Sequence, residues 1–175
     1  MRLELPPAND IADFPSTEYP RIQEASTIEG LATQVCIMTE RKIGNIRTIH
    51  PPELAPPPGY SNVVEVSGGR LVFIAGQTAL DRDGNLVGGN NLEAQADQVF
   101  RNLGFALAAA GCTARDLVKL NVFVRDMSGL PLYRKARDRF LGAKNPPAAP
   151  AITLVEVSKL FRDDLLIEIE AVAAS

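Results

Sequence analysis

The chain has 175 residues, enough for one domain with a full core and too few for two ordinary ones. Its 46% hydrophobic and 22% charged content is that of a water-soluble globular protein, and no apolar run approaches the roughly 18 residues that cross a bilayer. A net charge of −3, with lysines and arginines interleaved among acids, excludes the broad basic face of a nucleic-acid binder; the local exception is Arg134-Lys135-Ala136-Arg137-Asp138-Arg139.

Nine of the 13 prolines, from Pro6 to Pro58, fall in the first third, and residues 1 to about 40 show no sustained period of 2 or 3.6. Residues 1–45 are expected to be an N-terminal extension and 46–175 the folded domain. Met38 is expected to be the natural start, with residues 1–37 belonging to an upstream one. Acidic residues at 4, 10, 13 and 18 and the lack of an apolar stretch behind Arg2 argue against a secretory or organellar leader, so a cytoplasmic location is expected.

Ile46–His50 opens the expected folded domain. Val63–Ser67 and Arg70–Ala75 flank Gly68-Gly69, a pair suited to the positive φ angles of a tight turn, and predict an antiparallel hairpin. Asn90, with Glu93 three residues on, predicts a capping box for a helix whose apolar face is Ala96, Val99, Phe100, Leu103, Ala106, Leu107 and Ala110, ended by Gly111. Val118, Leu120, Val122 and Val124 alternate with other residue types and predict a central strand with two different faces. Pro131 fits a first helical turn, Leu132, Ala136 and Phe140 mark the buried stripe of a second helix, and Asn145-Pro146-Pro147 breaks it. Two strands, about 151–157 and 165–173, are joined by Arg162-Asp163-Asp164. This order predicts an α+β domain with both helices on one face of a mixed β-sheet.

Cys36 and Cys112 lie far apart, so two reduced thiols are expected, and Cys112 after the helix-ending glycine reads as a structural thiol. With His50 the only histidine, expected to be exposed, and no close cysteine pair, no metal site can be assembled from familiar ligand spacings. Glu168 and Glu170, two apart on a strand, face the same way: they are a carboxylate pair in a cleft or simply interface charges. Arg134 and Arg137 lie off the predicted stripe of the second helix and read first as a solvated face.

Several separated motifs carry a resemblance: Gly59-Tyr60, Ala75-Gly76-Gln77, Val122-Phe123-Val124-Arg125-Asp126, Pro150-Ala151-Ile152-Thr153-Leu154-Val155-Glu156-Val157, and Ile167-Glu168-Ile169-Glu170-Ala171. In order and spacing they resemble the RidA (YjgF) family over residues 46–175. The resemblance implies a chorismate-mutase-like fold, a homotrimer whose three sheets form a central barrel, and metabolite clefts between subunits. It also implies hydrolysis of reactive imines and enamines to 2-keto acids and ammonia. That chemistry asks for a carboxylate clamp, a positioned water and a proton relay, and no cofactor.

The clamp in that family is an arginine, whose planar fork matches a carboxylate bidentately, and here the position holds Ile152. Ala75 stands where the family has serine, and Leu154 where it has a small or thiol residue, so the cleft is expected to be more apolar. What the resemblance leaves in place is Tyr60 as a cleft wall, the Gly76 amide to orient substrate, and Glu168 as the general acid/base holding water. Arg134 falls where the family has a polar residue near the cleft and is the candidate replacement cation. The leading expectation is a divergent imine or enamine deaminase with an altered substrate. A metabolite-binding regulatory trimer without turnover is the alternative. A third, a ribonuclease or translation inhibitor, would need a basic groove.

Overall fold

The computed structural model describes residues 40–43, 45–52, 54–55, 57–142 and 147–175, with only the backbone of 40–43. The start proposed at Met38, Cys36, and Asn145-Pro146 lie outside the described residues. The described strands fall into two sheets: an antiparallel one of β1 (Glu40–Ile43), β2 (Ile46–Ile49) and β3 (Val63–Val66), and a mixed one of β4 (Leu71–Thr78), β5 (Leu117–Val124), β6 (Ala151–Glu156) and β7 (Ile167–Ala174). The mixed sheet runs in the order β4-β7-β5-β6, with β5 and β6 parallel and the other pairs antiparallel. Helices α1 (Leu92–Ala109) and α2 (Leu130–Leu141) cover one face of it, the α+β architecture that the element order implied. β5 is an interior strand, as its alternation predicted.

Alternation explains the core. On β5 and β7 every second side chain points under the helices, so Leu120, Val122, Ile167, Ile169 and Ala173 are almost wholly buried with Val99, Leu103 and Leu107 of α1. Val118 departs from this row: at a register shift between Leu117 and Lys119 it packs with Ile46 and Ala174 in a separate small cluster where the two sheets meet.

Three expectations need correction. Gly68 and Gly69 do take positive φ (85° and 98°), yet they do not close a hairpin. β3 pairs with β2, β4 pairs with β7, and the glycines carry the chain from one sheet to the other, where Arg70 and Ser175 exchange backbone hydrogen bonds. A turn sequence specifies a local reversal, not the strand that will lie beside it. The cap of α1 is Asn91 rather than Asn90: its side chain accepts from the Ala94 amide, and Glu93 reaches Arg139 instead of closing a box. The buried stripe of α2 is Tyr133, Ala136, Arg137 and Leu141, one residue round from the predicted Leu132, Ala136 and Phe140; Leu132 is exposed and Phe140 half-buried. Phe100 of α1 sets this rotation by stacking on Tyr133 and Phe140, with ring centroids 6.2 and 5.0 Å away. In addition, β1 forms within the segment read as an extension.

Gln95 was absent from the predicted face of α1, yet it is fully buried. Its amide nitrogen donates to the carbonyls of Gly89 (2.6 Å) and Asp164 (2.8 Å), and its oxygen accepts from the Leu166 amide (2.8 Å). Three bonds satisfy the buried amide and fix the start of α1 to the loop that leads into β7. The spacing 92, 95, 99 was the signal for it.

Candidate functional site

The side chains singled out in the sequence fall into two groups. Tyr60, Arg134, Ile152 and Leu154 line one depression of about 290 Å³, together with Tyr133 and Arg137 of α2. Ile152 and Leu154 register with Leu120 and Val122, which places them on the helix-covered side of β6, where they pack against the core. Tyr60 is held there through its neighbour: Ser61 is buried, its amide donates to the Pro150 carbonyl (3.1 Å), and its hydroxyl donates to Ala149 (2.5 Å), just before β6 begins.

The second group is Ala75, Gly76 and Glu168. β4 and β7 pair Ile74 with Ala171 and Gln77 with Ile169, so β4 carries one extra residue, and Ala75-Gly76 leave the ladder as a bulge. Glu168, opposite Thr78 on β4 and Phe123 on β5, lies on the open face of the sheet, and its carboxyl packs against the bulge. A Cβ on Gly76 would strike Oε1 of Glu168 and stand 2.8 Å from its Cδ, so only glycine leaves room for this carboxyl. Partial burial, and then repulsion from Glu170, push the Glu168 carboxyl above the usual carboxylate range. Glu170 instead accepts a 2.7 Å hydrogen bond from Asn121. The two carboxylates thus share a face and differ in environment.

The structure therefore does not bring all seven residues together in one chain. Glu168 is on the open face of the mixed sheet, and Ile152 and Leu154 are on the covered one.

The basic run of α2 resolves into separate partners. Arg139 bonds Asp97 and Glu93 of α1 at 2.8 Å, Lys135 stands 4.0 Å from Glu93, and Arg134 is exposed at the depression. Arg137, read in the sequence as solvated, is only 6% exposed. Its Nη2 and Nε donate to Asp138 at 2.7 and 2.8 Å, and it lies against Gly59, where a Cβ would come within 2.6 Å of Nη2. Gly59 also has φ +85°, so both close approach and backbone conformation require glycine there. Cys112 is a free, buried thiol whose amide closes α1 onto Leu107. His50 is half-buried rather than exposed, with Nδ1 3.1 Å from Asn62 Oδ1.

A model of the family described as Endoribonuclease L-PSP matches residues 51–175. The chain is 37% identical over 120 residues to a RutC family protein of Synechocystis sp., covering 68% of this chain and 88% of that one. It is 35% identical over 115 residues to a Mus musculus protein named 2-iminobutanoate/2-iminopropanoate deaminase, covering 65% of this chain and 79% of that one. Among solved structures it is similar to a protein of unknown function of the Rid family, YyfB of Yersinia pestis, with TM-score 0.68, 36% identity and coverage of 75% of this chain and 99% of that one.

Proposed function

The chain belongs to the RidA/YjgF (Endoribonuclease L-PSP) family, and from that premise we propose that it hydrolyses imine or enamine metabolites in clefts shared between copies of itself. The observation that carries this reading is the Glu168 carboxyl seated in the Gly76 bulge with its proton affinity raised. Such a group takes a proton from water more readily than an ordinary glutamate does, and holds it until a more basic nitrogen is there to receive it. Glu168 would hold water against the imine carbon and take its proton as the new C–O bond forms. The nitrogen would gain that proton to give a carbinolamine, and transfer of the hydroxyl proton to the nitrogen, again by way of Glu168, would break the C–N bond to leave a carbonyl and ammonia. The Gly76 amide, released from the ladder by the bulge, would orient the substrate.

The division of the candidate residues between opposite faces of one sheet supports a homotrimer. A complete site would pair the Tyr60, Ile152 and Leu154 depression of one copy with the Glu168 bulge of the next. Phe73, 77% exposed on the open face, is the kind of apolar residue an interface covers. Ile152 and Leu154 give the depression an apolar wall where a cation would hold a small keto-acid imine, so the preferred substrate is bulkier or less acidic, and Arg134 supplies charge from the exposed side. The same apolar wall favours the second reading, a regulatory trimer that binds a metabolite without turning it over.

Release of ammonia and keto acid from 2-iminobutanoate generated in situ tests the proposal. A rate that rises with protein concentration and falls to background in Glu168→Gln supports it, and no acceleration leaves the binding trimer. Sharing between copies has its own test. Glu168→Gln and a pocket-blocking Leu154→Trp should each be inactive, and mixing them under subunit exchange should restore about a quarter of the wild-type rate on random assembly of closed rings. No recovery from a mixture shown to exchange would place each site within one chain.

A further inference from the structure

Two side chains of α2 in the same depression have no part in the reading above. Tyr133 and Arg137 are one helical turn apart, both lie on the buried side of α2, and both line the depression with Ile152 and Leu154. Tyr133 is 1% exposed, and its buried hydroxyl has no hydrogen-bond partner among the described residues. Leaving a hydroxyl in that state costs free energy, so an unpartnered one beside a cavity marks a place where an acceptor is missing. Burial holds the phenol well above its usual proton affinity, so at any physiological pH it is a neutral donor. Arg137 commits Nη2 and Nε to a single oxygen of Asp138, whose side chain is mostly exposed. With Arg134 also lining the depression, two guanidinium groups border it, and none of the described residues that line it carries a carboxylate.

We propose that Tyr133 and Arg137 form the carboxylate-binding end of this pocket, so that the cation which β6 does not supply at Ile152 is supplied by α2. The proposal rests on the depression being the substrate cleft. One carboxylate oxygen of the ligand accepts from the Tyr133 hydroxyl, the other from Arg137, and the carbon chain lies on Ile152 and Leu154. The ligand is a carboxylic acid with an apolar tail, the bulkier rather than the less acidic of the two substrate classes above, and 2-oxobutanoate is the smallest probe that carries both parts. Gly59 has a part as well, because its lack of a side chain is what lets the guanidinium sit where it does.

The test is calorimetric titration of the full chain with 2-oxobutanoate, using its methyl ester as the uncharged control. The acid should bind and the ester should bind at least tenfold more weakly. Tyr133→Phe should weaken the acid about tenfold, the loss of one charge-assisted hydrogen bond, while the melting temperature stays level or rises because a stranded hydroxyl has been removed. A tyrosine serving only the fold would give the opposite pattern, a lower melting temperature and unchanged affinity. Arg137→Gln should abolish the preference for acid over ester. Because Arg137 is buried and that change can harm folding, Tyr133→Phe is the decisive variant. Equal binding of acid and ester by the wild type, or wild-type affinity in Tyr133→Phe, overturns the proposal. Binding is read without turnover, so the two proposals fail separately. Tyr133-dependent binding with no imine hydrolysis sinks the enzymatic reading alone, and hydrolysis with an unchanged KM in Tyr133→Phe sinks only the carboxylate site.

Discussion

The two faces of the mixed sheet are built from alternate residues of the same strands, and they obey different rules. Under the helices Leu120, Val122, Ile167 and Ile169 are 0–1% exposed and held by volume alone. On the other face their immediate neighbours are Lys119, Asn121, Phe123, Glu168 and Glu170, half-buried and held by specific partners such as the Asn121–Glu170 hydrogen bond. A covered face of this kind is satisfied within one chain. The open face carries a carboxyl that is harder to ionise than it would be in water and an almost bare phenylalanine, both of which gain from something placed over them.

Substitutions on adjacent residues separate these rules. Leu120→Ala should cost about 2–5 kcal/mol of unfolding free energy in denaturant titration, the range for emptying a leucine site in a close-packed core. Gly76→Ala should cost about 1–3 kcal/mol, as a forced side chain in a packed place does, and it should lower imine turnover to the level of Glu168→Gln because the carboxyl must move. A Gly76→Ala protein with normal turnover would mean that the bulge does not position the acid. Asn121→Ala, next to Leu120 on the same strand, should cost only about 1 kcal/mol, one hydrogen bond; a loss matching that of Leu120→Ala would erase the distinction between the faces.

The smallest effect depends on pH. The folded state raises the proton affinity of Glu168, so this residue favours folding most below the ordinary carboxylate range, and that contribution is lost as pH rises through its elevated value. Glu168→Gln should therefore be slightly more stable than the wild type at neutral pH and equal to it in acid, by melting temperature across pH. A variant equally destabilised at every pH would show that the carboxyl is not strained in the fold.

Strands that alternate were readable from their residues, because period 2 needs only one buried face: β5 and β7 are the clear cases. α1 was readable for the same reason at period 3.6. What escaped depends on distant partners. The Gly68-Gly69 turn was visible, but the partner of β4 is β7, about a hundred residues away along the chain. Four residues of β1 are too few to show a period. On α2 the stripe was misplaced by one residue because Arg137 reads as a surface cation, and the space that admits it is made by Gly59 on another segment. Motif residues gave two groups of candidates, and their separation was hidden because the side of β6 taken by Ile152 is set by pairing with β5.

β7 comes last in chain order among the described strands, yet it lies between β4 and β5. Until it arrives, both of those strands wait with an unpaired inner edge, exposed to any other extended segment within reach. Closing the gap joins Leu71 to Ala174, a contact so remote along the chain that it carries a high loop-closure cost. Because Glu168 lies on β7, the strand that seals the sheet is also the strand that seats the acid in its bulge. A chain without β7 in place would bare the inner edges of β4 and β5 and would also lack the acid, so the hazard of an open sheet edge and the loss of the acid go together.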